Sequence, residues 1–163
     1  MGGIMFRRFS IFGVVGALVL VAAGGIASAL GASDITAPET IVVIDTTTKT
    51  GFVNVGPQGH KPTPGDSFLF IDTLTDPTSG LKVGTVHGRC TFELGAWLEC
   101  QAGAFIGTRG ELLLAGLSPA SQQPVPFDLP ITGGTGEFDN VRGSAHLEPI
   151  SNRKTKITLS LIP

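Results

Sequence analysis

The 163-residue chain is 42% hydrophobic and 15% charged, with 23 Gly, 11 Pro, 10 Phe, one Trp and no Tyr. That composition fits one turn-rich all-β domain; it excludes collagen, which needs Gly at every third place, and a coiled coil, which needs heptads of Ala, Leu, Glu and Lys. A formal net charge of −2 offers no basic stripe to neutralise phosphates, which sets aside a dedicated nucleic-acid binder.

The first predicted element is a leader. Arg7 and Arg8 precede the apolar run Ile11 to Ala23, and Ala27-Ser28-Ala29 is a small-x-small site. This order of charge, apolar core and small residues predicts a signal-peptide helix over residues 1–32 and one domain over 33–163. The alternative is a retained membrane anchor, since the apolar stretch reaches the ~20 residues a span needs; Gly13, Gly16, Gly24 and Gly25 interrupt it. The expectation is cleavage, no stable membrane span afterwards, and a secreted or otherwise extracytoplasmic protein. The Arg pair leaves general secretory and twin-arginine export both open. Without Arg7 and Arg8 the mature chain holds nine basic against 13 acidic residues and is mildly acidic.

Beyond the leader, short runs rich in Val, Ile, Thr and Phe alternate with Gly, Pro and Asp clusters, and no run has helical periodicity of useful length. Strands are predicted at Ile41–Thr48, Phe52–Val55, Asp66–Leu74, Lys82–Phe92, Trp97–Phe105, Glu111–Leu117, Phe127–Thr132, Val141–Glu148 and Thr155–Ile162. Eight or nine sequential strands predict an antiparallel barrel, whose closure removes exposed sheet edges. Turns fall at Pro57–Gly65, at Asp76-Pro77-Thr78-Ser79-Gly80, and at Ser118–Pro126 with its three prolines.

The two cysteines, Cys90 and Cys100, flank a run that folds back about Gly95. A symmetric hairpin pairs 90 with 100 and 92 with 98, which brings the sulfurs across one rung and predicts a disulfide. A metal site is the alternative, but His60, His87 and His146 show no metal-ligand spacing, so no metal is expected.

Three blocks carry a resemblance. They are Pro64-Gly65-Asp66-Ser67-Phe68-Leu69-Phe70 leading to Asp72-Thr73-Leu74; Val83-Gly84 followed by Gly88-Arg89-Cys90-Thr91; and Ile131-Thr132-Gly133-Gly134-Thr135-Gly136-Glu137-Phe138 completed by Val141-Arg142-Gly143. In order and spacing they resemble the allene oxide cyclase and dirigent-like superfamily of eight-stranded barrels. The glycine block itself reads as structural: it allows a tight turn and close backbone approach, and Phe138 plugs one end of the core. No helix with a capping hydroxyl and Lys follows it, so it does not predict nucleotide binding.

The resemblance implies a hydrophobic small molecule in the barrel lumen, held for stereoselective cyclisation, coupling or isomerisation with no cofactor. On this resemblance the polar lumen group of the cyclases falls on Asp72. Strand alternation independently places Asp72 on one face with Phe68, Phe70 and Leu74, where an apolar setting raises a carboxyl pKa and suits acid–base work; the alternative is a turn cap. Asp45 is a looser match to an acid on the cyclases' first strand. Arg142 stands where dirigent-like sequences often carry Arg, with an ion pair to Glu137 or Asp139 as its structural alternative. The cyclases keep a Cys at the place of Cys90, which a disulfide would remove from chemistry. The cyclases also use a Tyr; this chain has none, which argues against authentic allene oxide cyclisation.

The catalytic candidates are therefore Asp72, Asp45 and Arg142, and the ligand-binding candidates Phe68, Phe70 and Leu74. Two functions of different class follow: a cofactor-independent isomerase or cyclase acting on a lipophilic substrate, and a non-catalytic, lipocalin-like binding or scaffold protein. A homo-dimer or homo-trimer is a further expectation.

Overall fold

The computed structural model describes residues 35–56, 61–121 and 123–163, all within the compact unit Gly31–Pro163. The expected leader, 1–32, lies outside the described residues, among which no helix is long and apolar enough to cross a membrane.

Eight strands follow one another: β1 (Glu39–Val53), β2 (Ser67–Thr75), β3 (Lys82–Glu93), β4 (Trp97–Ile106), β5 (Gly110–Pro119), β6 (Phe127–Gly134), β7 (Arg142–Ser151) and β8 (Lys154–Ile162). Each pairs antiparallel with the next, and β8 pairs with β1 to close the barrel. The two short runs expected at Ile41–Thr48 and Phe52–Val55 form a single long strand. No turn divides them, because Lys49, Thr50 and Gly51 pair with Ile71, Phe70 and Leu69, and the extra residue, Thr48, is absorbed as a bulge.

Period-two alternation turns one face of each strand inward. Val43, Leu74, Val86, Leu98, Ala104, Leu112, Leu129, Ala145 and Leu159 form the buried core, joined by Phe68, Phe70, Phe92 and Phe127 at its edge. Leu69, between Phe68 and Phe70, is exposed.

The two barrel ends differ. At one end the glycine block closes the floor: Gly136–Phe138 is a short 3₁₀ turn, and Phe138 and Val141 are fully buried. Gly136 has φ 67°, and a Cβ there would meet the Arg109 carbonyl, so the turn requires glycine. Arg109 crosses this floor. Its guanidinium lies 4.8 Å from the Phe138 ring centre, donates two hydrogen bonds to the Glu39 carboxylate at 2.7 and 2.8 Å, and donates a third to Glu137 at 2.7 Å.

The opposite end is open, rimmed by the β3–β4 hairpin and the loops before β2 and after β5. Asp66 ties the loop before β2 by accepting hydrogen bonds from the backbone N–H of Val55 and Thr63 and from the Thr63 hydroxyl. These bonds, with Thr63 contributing most, hold its carboxyl below the usual range. The β5–β6 ladder is the shortest of the eight, pairing Leu112, Leu113 and Leu114 with Gly134, Gly133 and Ile131. Pro130 has no N–H to extend it.

Cys90 and Cys100 are directly opposed on β3 and β4 and joined by a disulfide, with Phe92 opposite Leu98. This is the pairing about Gly95 expected from the hairpin.

Candidate functional site

The lumen holds a cavity of about 100 Å³ to which all eight strands contribute. Three rows of paired residues across β2, β3 and β4 shape one wall: Phe70–Gly88–Ala102, Asp72–Val86–Ala104 and, from β3 and β4, Cys90–Cys100. The Phe70 ring lies across Gly88, where a Cβ would overlap it. Small residues in this wall leave the free space. Leu114, Phe127, Leu129 and Leu147 face it from β5, β6 and β7.

Into this apolar space project two acids. Asp72 is 4% exposed and Asp45 8% exposed, and both line the cavity. Their strands are paired so that Asp45 stands opposite Leu74, and Thr47 opposite Asp72. The acids are therefore diagonal neighbours on one inward face, within reach of each other. Burial pushes the Asp45 carboxyl up to about 8, and the negative charge of Asp72 and a hydrogen bond to it act in the same direction. Asp72 is also raised, by burial, while hydrogen bonds with Thr47 and Asp45 and the positive potential of His87 oppose the shift. Burial favours the neutral carboxyl on both acids, and only Asp72 has groups that oppose the shift. One oxygen of each, Oδ1, is buried with no hydrogen-bond partner.

The candidates from the sequence are distributed as follows. Asp72, Phe70 and Leu74 line the lumen as alternation placed them, and Asp45 joins them. Phe68 does not line this cavity; it faces a wider one of about 660 Å³ at the open end, shared with Lys61, Pro64, Phe92, Leu98 and Ala120. The rings of Phe68 and Phe70 are 5.9 Å apart, and Phe92 stands 6.3 Å from both Phe68 and the exposed Phe52. Aromatic rings therefore run from the rim to the lumen wall.

Arg142 is a correction. It is exposed at the start of β7 and donates to the backbone carbonyls of Val141 and Asn140, outside the lumen lining. The ion pair expected for it falls to Arg109, which holds Glu137. Cys90 lines the cavity as half of a cystine, so it presents no thiol there. Among the described residues no cluster of His, Cys, Asp and Glu could hold a metal.

Sequence reasoning missed Thr47, Phe92 and Arg109. Thr47 lies two residues beyond Asp45 and so shares its face, a signal that was available. Phe92 lies two beyond Cys90 in the same way. Arg109 sits in a turn with no periodicity to follow.

No family model matches the chain, and no curated protein matches it in sequence. Solved structures do. A pyocyanin demethylase is 26% identical with a TM-score of 0.65, over 76% of this chain and 100% of that one. A Diels-Alderase from Streptomyces koyangensis is 17% identical with a TM-score of 0.62, over 76% of this chain and 63% of that one, so this chain spans under two thirds of its length. A pterocarpan synthase dirigent protein is 18% identical with a TM-score of 0.57, over 77% of this chain and 94% of that one. The fold is that of the allene oxide cyclase and dirigent-like barrels, the superfamily to which the three sequence blocks pointed.

Proposed function

We propose that this chain binds a lipophilic small molecule in its lumen and steers a stereoselective cyclisation or isomerisation of it, with Asp45 and Asp72 exchanging a proton with the substrate. By their names, the similar structures include a demethylase, a Diels-Alderase and a pterocarpan synthase. One barrel supports several reactions, so the choice rests on the side chains in the lumen. The observation that carries the reading is the acid pair with its two unpartnered oxygens in an apolar cavity. Buried carboxyls without partners cost stability, and perturbed acids in a cleft mark functional sites.

The chemistry is balanced within the pair. Asp72 takes a proton from the substrate as charge develops, and Asp45 returns one to the developing oxyanion or carbanion; no electron leaves the substrate. The apolar wall removes rotational freedom from a flexible chain before the bond forms, and closeness in a low dielectric strengthens both transfers. The disulfide supports an oxidising, extracytoplasmic compartment, in keeping with the leader expected from the sequence.

The test is native mass spectrometry of the purified protein beside Ala102→Phe, which fills the lumen. The expected result is a copurified small molecule in the first and none in the second; an adduct that survives filling overturns lumen binding. The extracted ligand, returned to protein, should change its isomer ratio on chiral chromatography with the wild type and about 10²–10⁴-fold more slowly with Asp72→Asn, the usual worth of a positioned acid or base. An unchanged ratio with the wild type would leave a binding protein.

A further inference from the structure

The mouth of the barrel has an apolar edge. Seven of the thirteen large apolar side chains exposed among the described residues surround it: Phe52, Val53 and Val55 at the end of β1 and just beyond, Leu94 and Trp97 on the β3–β4 hairpin, and Leu117 and Val125 at the end of β5 and in the loop after it. Leu94 is 80% exposed and Val55 67%. Leu94 stands at the tip of its hairpin, beside Gly95 and Ala96, which both take positive φ. The core does not use these side chains, and apolar groups gathered on exposed segments mark a docking surface. The charge pattern indicates what docks. Residues 52–56, 94–97 and 117–127 hold no charged side chain, and the two charges lining the vestibule inside them, Lys61 and Glu93, are of opposite sign. Such a crown gives no grip to a polyanion and matches a surface of zero net charge. It is built from three separate segments set about an opening, an outline to which a fluid surface conforms. The floor contrasts with it, braced by Arg109, Glu39 and Glu137. Trp97 joins an apolar ring to an N–H donor, a combination that settles at a membrane–water interface.

We propose that the open end of the barrel docks on a zwitterionic phospholipid bilayer, with Phe52, Val55, Leu94 and Trp97 entering the headgroup region and the mouth sealed against the lipid. Burial of these side chains supplies the attraction, as it does for other proteins that lie on a membrane without crossing it. The lumen then exchanges a lipophilic ligand with the acyl phase without passing it through water. The proposal concerns the rim alone and goes beyond lumen binding; it stands whether or not a ligand in the lumen reacts.

Trp97 is the only tryptophan of the chain, which has no tyrosine, so its emission reports the mouth directly. The described chain begins at the floor, where the Ile35 N–H donates to the Glu137 carbonyl, so attachment through the leader would leave Trp97 in water. Phosphatidylcholine vesicles should move Trp97 emission to shorter wavelength, and phosphatidylcholine brominated on its acyl chains should quench it. Leu94→Asp and Val55→Asp, at exposed positions that the fold does not bury, should each lower vesicle affinity about tenfold or more. Leu113→Asp, exposed on the outer wall toward the floor, should leave it unchanged. Emission that vesicles do not move overturns the proposal. So does a shift that requires anionic phosphatidylglycerol, which assigns docking to charge, or one that Leu113→Asp weakens as much as the rim variants do. A shift that grows with protein concentration in the absence of vesicles, with dimers in sedimentation, assigns the rim to a second copy and also overturns it. A shift that survives both rim substitutions does the same.

Discussion

Asp45 and Asp72 face each other diagonally across the β1–β2 ladder, each with one carboxyl oxygen buried and unpaired. An acid pair in this state is held in place by the rest of the barrel, because nothing local satisfies those two oxygens. Its consequences for stability and binding can be measured separately.

The first is a dependence of stability on pH. Asp45 and Asp72 are raised in the folded protein, so above the ordinary carboxyl values, and up to about pH 8 for Asp45, the folded state holds protons that the unfolded state has released. Their contribution is full below about pH 4 and is lost as pH rises, for Asp45 through about pH 8, with a slope of at most about 1.4 kcal/mol per pH unit for each proton. Glu39, Asp66, Asp76 and Glu148 are lowered and contribute above the ordinary carboxyl values, so stability should peak near pH 5. Denaturant unfolding between pH 4 and 8 should show the decline on the alkaline side, and Asp45→Asn should flatten it. A flat wild-type profile above pH 5 would mean that the pair is solvated.

Gly88→Ala should push the Phe70 ring toward the cavity, since a Cβ at Gly88 overlaps it. The expected cost is about 1–3 kcal/mol, as for other overpacked cores, together with loss of any lumen ligand. Phe70→Leu in the same chain should recover both. Unchanged stability in the single variant would show that Phe70 moves aside freely.

The cystine closes an 11-residue loop between Cys90 and Cys100. Replacing both with Ala should lower unfolding free energy by about 2–3 kcal/mol, read as a lower denaturant midpoint. Reductant should shift the wild-type midpoint and leave that of the double variant unmoved.

Arg109→Lys keeps the charge but loses the planar fork that meets Glu39 with two hydrogen bonds and stacks on Phe138. A loss of about 1 kcal/mol is expected, and about 1–2 kcal/mol for Arg109→Ala. Thermal unfolding at low and high salt separates the parts: the difference between wild type and Lys variant should shrink with salt only to the extent that it is ionic. Arg142→Ala, at an exposed position bonded to neighbouring carbonyls, should leave stability within about 0.5 kcal/mol.

Local rules carried much of this protein. A strand has period two, so Phe70, Asp72 and Leu74 had to share a face, and the symmetric segment about Gly95 set Cys90 opposite Cys100. The glycine block likewise announced a tight turn and a plug at Phe138. Parity, however, says nothing about which residue of another strand stands beside a given one. The meeting of Asp45 with Asp72 depends on the register of β1 against β2, set across a loop and past the bulge at Thr48. The continuity of β1 through Gly51 depends on the same partner strand, which holds extended a stretch that alone resembles a break. Arg109 reaches Glu39, 70 residues away, and Glu137, 28 away, only because barrel closure gathers the ends of β1, β4 and β6 at one floor. Arg142, expected in the site, is turned outward by its position at the start of β7. Facing and turning are decided within a few residues by backbone geometry, whereas register and closure are settled by the cooperative pairing of all eight strands, and that pairing is where the tertiary structure determined the site.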